Sequence, residues 1–182
     1  MKKMLLFSIF TLSVLTTFAQ VKWITLDEAL AAQKDNPKKI IMDVYTNWCG
    51  PCKLLDKNTF QNKDVAAYIN ENYYAVKFNG EGNSTVTYAD KTFSNPKYDP
   101  AKKNTRNYPH QLTQYLRVSA YPTVVFFDEK GGLIAPIRGY IKPNGMELYL
   151  KLFANDDYLK VNKDKAAWDE YQRNFKPTFK TR

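Results

Sequence analysis

Apolar positions along residues 25–78 recur at spacings that change from helical to strand-like. Thr25-Leu26-Asp27-Glu28 has the form of a capping box, and the apolar residues that follow share one helical face. A short helix is therefore expected until Asn36-Pro37. The run from Ile40 to Tyr45 is apolar and β-branched except at Asp43, which predicts a strand covered on both faces. The acid inside this strand needs a specific reason.

The chain then continues as a β-α-β succession. Composition predicts a helix from Cys52 to Phe60, with Leu54 and Leu55 available to face the core. A second helix over Lys63–Asn70 and a strand over Tyr74–Phe78 are expected to follow. The first of the two cysteines in this region therefore stands where a buried strand passes into a helix.

Residues 80–109 interrupt this regularity. The stretch is polar and contains Gly82, Pro96 and Pro100 among many Asn, Lys and Thr residues, so we expect a long surface insertion. A connection of this length without structure of its own is uncommon in a compact domain, and it is either a functional loop or disordered. Both alternatives stay open at this point.

Regular patterns return after residue 109. A helix is expected over His110–Val118. Pro122 opens the predicted strand Thr123–Phe127, a position where a proline removes no ladder hydrogen bond. The turn residues 128–132 predict an antiparallel return over Leu133–Ile137.

The last third of the chain contains two further predicted helices. Asn144 is expected to cap a helix that ends near Ala154. Residues 156–182 are charged but carry several aromatic side chains, and a helix near Lys165–Phe175 is expected there. We therefore predict one main domain over residues 20–155, with a C-terminal extension that docks on it.

Residues 1–19 differ from this domain. Lysines precede an apolar stretch from Met4 to Phe18 that ends at the small residue Ala19, which is typical of a cleavable signal peptide. The stretch is shorter than the roughly 20 residues of a spanning helix, and no cysteine follows closely for a lipid anchor. We expect cleavage near Gln20, a periplasmic or secreted protein, and no stable membrane insertion after signal cleavage.

Composition and charge fit an ordinary globular domain, with 44% hydrophobic and 25% charged residues. The formal net charge is +9, and loss of Lys2 and Lys3 with the signal peptide lowers it to +7. The basic residues form no run of five or more, and the aromatic residues show no periodic interleaving with Arg. We therefore expect no nucleic-acid partner.

The chain has two cysteines, Cys49 and Cys52, and their spacing allows a small disulfide ring. A cysteine at a helix N-terminus is stabilised as thiolate by the partial positive charge of unpaired N–H groups. Because Cys49 has this position, it is the predicted nucleophile. Cys52, which we expect to be better buried, is predicted to resolve the mixed disulfide.

Three other uses of such a pair conflict with the neighbouring residues. A zinc site needs four ligands, yet the chain has no third cysteine and a single histidine, His110, which we expect at the surface. Haem attachment needs a histidine directly after Cys52, where Lys53 stands. A purely structural bridge of this spacing closes too small a loop to stabilise much. We expect no metal, and no cofactor beyond the redox-active Cys49-Cys52 disulfide.

The run Trp48-Cys49-Gly50-Pro51-Cys52 matches the active-site motif of thioredoxin letter for letter, so the chain resembles the thioredoxin family over roughly Lys38 to Ala154. Asp43, six residues before the first cysteine, matches the family's buried acid, Lys77 matches the lysine near it, and Pro122 matches its cis-proline. The resemblance implies an α/β thioredoxin fold, a central mixed sheet flanked by helices, here with the loop insertion and the C-terminal helical extension.

The resemblance also implies roles for these residues. A buried carboxylate has a raised pKa and can accept a proton from a thiol, so Asp43, with Lys77 beside it, is expected to activate Cys52. An acid satisfied by backbone donors or by Lys77 alone, and a surface position for Lys77, stay open as alternatives. A cis peptide before Pro122 turns the Tyr121 backbone toward the disulfide, where it can pair with an extended substrate chain. An ordinary trans proline is the alternative.

Three further positions are expected to contact substrate or to set the chemistry. Trp48 forms an apolar flank beside an exposed Cys49 sulfur, with a core aromatic as the alternative. Gly50 and Pro51 influence the stability of the thiolate and resemble the residues of reducing family members. Gly139 resembles the family glycine that lets substrate approach closely.

Together these features predict a protein-disulfide reductase that acts outside the cytoplasm and is recharged by a membrane electron-donor protein. The stretch Phe60–Asn79 resembles the exported thioredoxin-like branch related to the C-terminal domain of the transmembrane disulfide reductases. A disulfide oxidase or isomerase on the same scaffold stays open, as does a redox-inert binding module. The insertion and the tail have no counterpart in a minimal thioredoxin, so the resemblance does not assign their roles.

Overall fold

The computed structural model of the protein describes residues 20–161 and 164–180, so the predicted signal peptide lies outside the described residues. Its strands are β1 (Trp23–Ile24), β2 (Lys39–Tyr45), β3 (Tyr73–Asn79), β4 (Val86–Tyr88), β5 (Lys91–Phe93), β6 (Thr123–Phe127) and β7 (Leu133–Arg138). Five of them form the central sheet in the order β1-β3-β2-β6-β7, and β4 pairs with β5 separately.

The sheet is mixed. β2 lies at its centre and pairs parallel to β3 and antiparallel to β6, while β7 pairs antiparallel to β6. All residues of β2 except Tyr45 are buried, which confirms the predicted strand covered on both faces. The hairpin of β6 and β7 is also confirmed.

Helices flank this sheet, which confirms the predicted architecture. They are α1 (Leu26–Asp35), α2 (Gly50–Leu55), α3 (Lys63–Asn72), α4 (Gln111–Tyr115), α5 (Pro143–Ala154), α6 (Tyr158–Val161) and α7 (Lys165–Asn174). Buried residues of α3 and α5 form one core cluster with Ile41, whereas buried residues of α1 and α4 form a second with Ile40 and Met42. Because side chains alternate along a strand, Asp43 points to the same side as Ile41, the side of α3 and α5.

Several helix boundaries carry specific capping interactions. The predicted capping box between Thr25 and Glu28 opens α1. The helix that contains the cysteines begins at Gly50 and continues into a π-helical turn over Asp56–Phe60. Leu55 is fully buried, but the expectation that Leu54 also faces the core is wrong, because consecutive helical residues point about 100° apart.

The start of α5 differs from the prediction at Asn144. The capping position belongs to Lys142, and Pro143 occupies the first turn, where its missing N–H breaks no helical hydrogen bond. The Asn144 side chain accepts a local hydrogen bond from the Gly145 N–H at 2.9 Å. The helix itself ends at Ala154, as predicted.

The insertion has secondary structure of its own. β4 and β5 form a hairpin whose turn residues Ala89 and Asp90 have φ values of 50° and 58°, and a 3-10 turn follows over Pro100–Lys102. The side chains of Val86, Tyr88 and Phe93 are buried and join the cluster on the α1 and α4 face. The insertion is therefore anchored to the domain core through its first half.

The position of His110 also differs from the expectation. His110 is fully buried, so the predicted surface location is wrong. Its Nδ1 accepts a hydrogen bond from the Leu112 N–H at 3.1 Å and caps α4, while Nε2 lies 2.7 Å from the Ser84 carbonyl oxygen. Burial lowers the pKa of the His110 imidazole. The residue joins the end of the insertion to α4 as a neutral cap.

The C-terminal residues lie against α5. The rings of Trp168 on α7 and Tyr149 on α5 stack with centroids 6.1 Å apart. Further along, the backbone N–H groups of Thr178 and Phe179 donate to the buried carboxylate of Glu147. None of the helices within residues 20–161 and 164–180 has the length and apolar character needed to cross a bilayer. The division of the chain into signal peptide, domain and extension stays a prediction.

Candidate active site

Cys49 and Cys52 form a disulfide at the junction of β2 and α2, with Cα atoms 5.3 Å apart. Cys49 is the residue that caps α2, and its sulfur accepts a hydrogen bond from the Cys52 N–H at 3.1 Å. Pro51 lies in the first turn, where it disrupts no helical hydrogen bond. The local sequence therefore directs a free helical N–H at the Cys49 sulfur.

Both cysteines are buried in this disulfide form, at 2% exposure for Cys49 and 4% for Cys52. The expected contrast between an exposed Cys49 sulfur and a better buried Cys52 is therefore wrong for the oxidised protein. Gly50 and Pro51, which lie between them, are exposed. The Gly50-Pro51 turn is thus the solvent-exposed side of the disulfide ring.

Asp43 lies on β2 and is fully buried, with Lys77 on the neighbouring strand β3 as its register partner. The Lys77 Nζ lies 2.8 Å from Asp43 Oδ2, and no other group of the described chain donates to the Asp43 carboxylate. Burial raises the pKa of the Asp43 carboxyl, and the positive charge of Lys77 offsets this only in part. Asp43 is therefore a proton acceptor of unusual strength for a carboxylate.

Lys77 connects this buried acid to a second carboxylate. Its Nζ lies 2.6 Å from Oδ1 of Asp56, in the π-helical turn after α2, and 4.8 Å from the centroid of the Trp23 ring. Burial opposes the charge on Lys77, but the attraction of Asp43 and Asp56 outweighs it and raises the pKa of the ammonium group. Lys77 therefore carries a fixed positive charge between the two acids.

A cavity of about 330 Å³ opens beside Cys52. Its walls include Cys52, Asp56 and Lys77 together with the Thr46 and Asn47 region of the preceding loop. Lys77, the ion-pair partner of Asp43, therefore lines the same cavity as Cys52. The space offers a route for protons between Cys52 and the solvent.

The peptide bond between Tyr121 and Pro122 is cis. The Tyr121 hydroxyl donates to the Gly80 carbonyl oxygen at 3.1 Å, and its ring meets the Trp48 ring edge-on with centroids 6.1 Å apart. These contacts hold the peptide beside the residue that precedes Cys49. Gly139, whose N–H donates to the Pro122 carbonyl oxygen, has a φ of 93° and open space where a side chain would project.

Trp48 is half-buried and belongs to a contact network with the insertion. Its Nε1–H donates to Oε2 of Glu81 at 2.7 Å, and the Arg106 guanidinium carbon lies 5.0 Å from the ring centroid. Asn47 donates from Nδ2 to the Lys103 carbonyl oxygen at 2.7 Å. The active-site loop is thus packed against residues 81 and 103–107.

Sequence reasoning missed Asp56, Glu81 and Arg106. A signal for Asp56 exists, because it lies four residues after Cys52 in a helical segment and such residues share a face. Glu81 and Arg106 belong to the polar insertion, and no local pattern distinguishes them from its other charged residues.

The described residues contain no group of three or more His, Cys, Asp or Glu side chains with the proximity that a metal ion requires. The reactive groups that the structure brings together are the two sulfurs and, beside Lys77, the carboxylates of Asp43 and Asp56. Reversible opening of the Cys49-Cys52 bond is what this arrangement supports, and this places the protein among the thiol:disulfide oxidoreductases of the thioredoxin fold.

The chain belongs to the thioredoxin-like domain family, whose model matches residues 26–154. It is 26% identical over 131 residues to the thiol:disulfide interchange protein DsbD of Pectobacterium atrosepticum, and the aligned region covers 71% of this chain and 18% of that protein. It is also 26% identical over 149 residues to a thioredoxin of Neurospora crassa, covering 81% of this chain and 93% of that one. The chain thus spans less than a fifth of the DsbD protein and nearly the full length of the thioredoxin.

Solved structures share the fold. A thioredoxin-fold protein from Helicobacter pylori superimposes with a TM-score of 0.54 at 18% identity, covering 81% of this chain and 94% of that one. A putative disulphide-isomerase from Bacteroides thetaiotaomicron gives a TM-score of 0.51 at 23% identity, covering 75% and 94%. The predicted thioredoxin fold is confirmed.

Proposed function

We propose that the protein is an exported protein-disulfide reductase that transfers two electrons from a Cys49-Cys52 dithiol to disulfides of proteins outside the cytoplasm. The observation that carries the proposal is the placement of Cys49 as the cap of α2, where its sulfur accepts a hydrogen bond from the Cys52 N–H. Cys52 in turn lines the same cavity as Lys77, the ion-pair partner of the buried Asp43. The similarity to DsbD, a thiol:disulfide interchange protein, supports protein disulfides as the substrate class.

In the first step, the Cys49 thiolate attacks one sulfur of the substrate disulfide. A Cys49-substrate disulfide forms, the substrate S–S bond breaks, and one substrate sulfur leaves as a thiolate. The hydrogen bond from the Cys52 N–H to the Cys49 sulfur supports this assignment, because the same donor stabilises a negative charge on that atom.

In the second step, the Cys52 thiolate attacks the Cys49 sulfur. The Cys49-Cys52 disulfide forms and the second substrate thiolate leaves, so the substrate gains two electrons that the dithiol loses. Asp43 accepts the proton of the Cys52 thiol, and its raised pKa suits this role because it makes the carboxylate a stronger base. The proton is then released to the solvent, and the cavity lined by Cys52 and Lys77 is the proposed route.

The substrate chain is expected to bind along the Tyr121 backbone in an extended conformation, with Trp48 and the exposed Gly50-Pro51 turn beside the reacting sulfur. The cis peptide at Pro122 and the contact between the Tyr121 and Trp48 rings support this placement.

The reducing direction is part of the proposal. Gly50 and Pro51 resemble the residues of reducing family members, and thioredoxin-like and strongly oxidising potentials differ by about 150 mV. The basic and apolar N-terminal sequence supports export to the periplasm or beyond it. The dithiol is then regenerated by a dithiol-bearing electron-donor protein of the membrane.

The test is reduction of insulin by the purified protein with dithiothreitol as the electron source, followed as precipitation of the free B chain. We expect acceleration by the wild-type protein and none by Cys49→Ser. A protein that neither reduces insulin nor exchanges with glutathione is not an oxidoreductase, and the binding-module alternative replaces the proposal. A reduction potential close to that of strong oxidants, about −120 mV, reverses the direction.

A further inference from the structure

The insertion forms one side of the active-site loop. Asn47 donates to the Lys103 carbonyl oxygen at 2.7 Å, and Trp48 donates to Glu81 at 2.7 Å. Two consecutive residues before Cys49 are therefore bound by the insertion. Any polypeptide whose disulfide reaches Cys49 passes close to these residues.

Glu81 is the residue that joins the two parts. It is 8% exposed, and its Oε2 accepts hydrogen bonds from the Trp48 Nε1–H at 2.7 Å and from the Asn107 N–H at 2.8 Å. A buried carboxylate with two such donors fixes the groups that donate to it, because loss of either bond leaves charge unsatisfied. Glu81 therefore fixes Trp48 against the segment that contains Arg106.

Arg106 lies on the Trp48 ring, with its guanidinium carbon 5.0 Å from the ring centroid. The residue is exposed, and it forms no ion pair with any residue in the described part of the chain. The acid of this segment, Asp99, lies 3.7 Å from the Lys102 ammonium and forms no ion pair with Arg106. An exposed cationic group is thus held on the ring of Trp48, the residue that precedes Cys49.

We propose that Arg106 is a specificity-determining residue that selects protein disulfides with an acidic side chain next to the reacting cysteine, and that Glu81 is the positioning residue for this contact. The inference rests on the proposed function and names its substrate class. The planar guanidinium group of Arg106 can bind a carboxylate through two parallel N–H groups, and its contact with the Trp48 ring limits its orientations.

The test uses two synthetic peptides with one intramolecular disulfide each, identical except for Asp or Lys beside one cysteine. Reduced protein is mixed with each peptide, and the rate at which the peptide thiols appear is measured. Dividing this rate by the rate at which dithiothreitol reduces the same peptide corrects for the intrinsic reactivity of its disulfide and gives the normalised rate. We expect wild-type protein to favour the Asp peptide and Arg106→Ala to reduce that preference about threefold, the scale of one exposed charge pair. Arg106→Glu should favour the Lys peptide.

Matched variants test whether the preference for the Asp peptide comes from Arg106 itself or from the net positive charge of the protein. Arg173→Ala removes an exposed arginine on α7 and should leave the preference unchanged, although it lowers the net charge equally. Glu81→Ala should lose the preference, and Glu81→Gln should retain most of it because the amide oxygen still accepts from Trp48. Far-UV circular dichroism checks that each variant is folded.

The outcomes distinguish the two proposals. If wild-type protein reduces both peptides at equal normalised rates, or if Arg173→Ala lowers the preference as much as Arg106→Ala, the specificity proposal is wrong and the reductase proposal stands. If wild-type protein reduces neither peptide nor insulin, the reductase proposal itself is wrong.

Discussion

Two fully buried carboxylates, Asp43 on β2 and Glu147 on α5, have opposite electrostatic environments. Glu147 accepts hydrogen bonds from the Thr178 N–H, the Thr178 hydroxyl, the Phe179 N–H and the Lys151 ammonium. Burial raises its pKa, but these donors outweigh burial and lower it overall. Asp43 has the Lys77 ammonium as its one partner in the described chain, and burial outweighs that attraction and raises the pKa of the carboxyl.

The difference shows how a buried carboxylate serves two purposes. A buried carboxylate whose oxygens are saturated by donors stays charged and holds the chain together, in this case the tail against α5. A buried carboxylate with a single partner has a less stable charged form and a raised pKa, which suits proton transfer. Glu147 is therefore a structural acid and Asp43 a chemical one.

The largest expected effect is that of Asp43→Asn on disulfide exchange. Without the carboxylate, the Cys52 thiol loses its proton acceptor, and the rate of insulin reduction at pH 7 should fall about a hundredfold. The same variant should raise the free energy of unfolding at pH 7 by about 1 kcal/mol, because it removes a carboxylate whose charged form is penalised by burial while Lys77 keeps Asp56 as a partner. Urea unfolding measures the second quantity.

The pH dependence sharpens this expectation. Because the folded pKa of Asp43 is above the unfolded value, its contribution to stability is present at low pH and is lost as pH rises through the folded pKa. The stability difference between Asp43→Asn and wild type should therefore grow with rising pH. If Asp43→Asn is less stable and fully active, Asp43 is a structural acid and the contrast with Glu147 disappears.

Glu147→Ala should have the second-largest effect, on stability. The change removes the acceptor of four donor groups, and we expect a loss of about 2 kcal/mol in the free energy of unfolding at pH 7. Because the folded pKa of Glu147 is lowered, its stabilisation is present above the unfolded pKa and is lost as pH falls through the folded pKa. The difference from wild type should shrink in acid, the opposite of Asp43→Asn.

A control for the tail is the truncation of residues 177–182, which removes both backbone donors to Glu147. It should lower stability in the same direction while insulin reduction at 25 °C stays within a factor of two of wild type, an order-of-magnitude expectation for a region that contacts no reacting atom. A large loss of activity in the folded truncation variant would contradict the structural role.

Asp56→Asn should have the smallest effect. Asp56 is partly exposed, and its pair with Lys77 is weakened by solvent, so the stability change should stay below about 1 kcal/mol. Lys77 then has Asp43 as its remaining carboxylate partner in the described chain. Because the negative charge of Asp56 raises the pKa of Asp43, its removal should lower that pKa relative to wild type. The pH profile of insulin reduction should shift slightly to lower pH. An unchanged profile with altered stability would limit Asp56 to a structural role.

The chemical acid was predictable from the sequence and the structural one was not. Asp43 interrupts an otherwise apolar β-branched run, so its burial follows from the strand pattern alone, and the Cys49-Cys52 motif follows it at a fixed distance. Glu147 lies in an amphipathic helix like any exposed glutamate. Lys151 is four residues away on the same helix, but the other three donor groups belong to Thr178 and Phe179, 31 and 32 residues away, and no local pattern indicates a contact of that range.

The insertion shows the same limit. Its hairpin strands have three residues each, too short for an alternation of apolar and polar positions to be distinguished from chance. The buried His110 was missed because its burial depends on the Ser84 carbonyl, 26 residues earlier. Contacts between Glu81 and Trp48 likewise join residues 33 positions apart. Local pattern predicted the elements, and long-range polar contacts required the structure.

The central claim is that Cys49 attacks and Cys52 resolves. It is tested most directly by incubating purified, reduced Cys52→Ser and Cys49→Ser variants with insulin and measuring the mixed disulfides by mass spectrometry after acid quenching. We predict that Cys52→Ser accumulates a Cys49-insulin disulfide and that Cys49→Ser accumulates little. Equal trapping by both variants, or trapping by Cys49→Ser alone, would contradict the account.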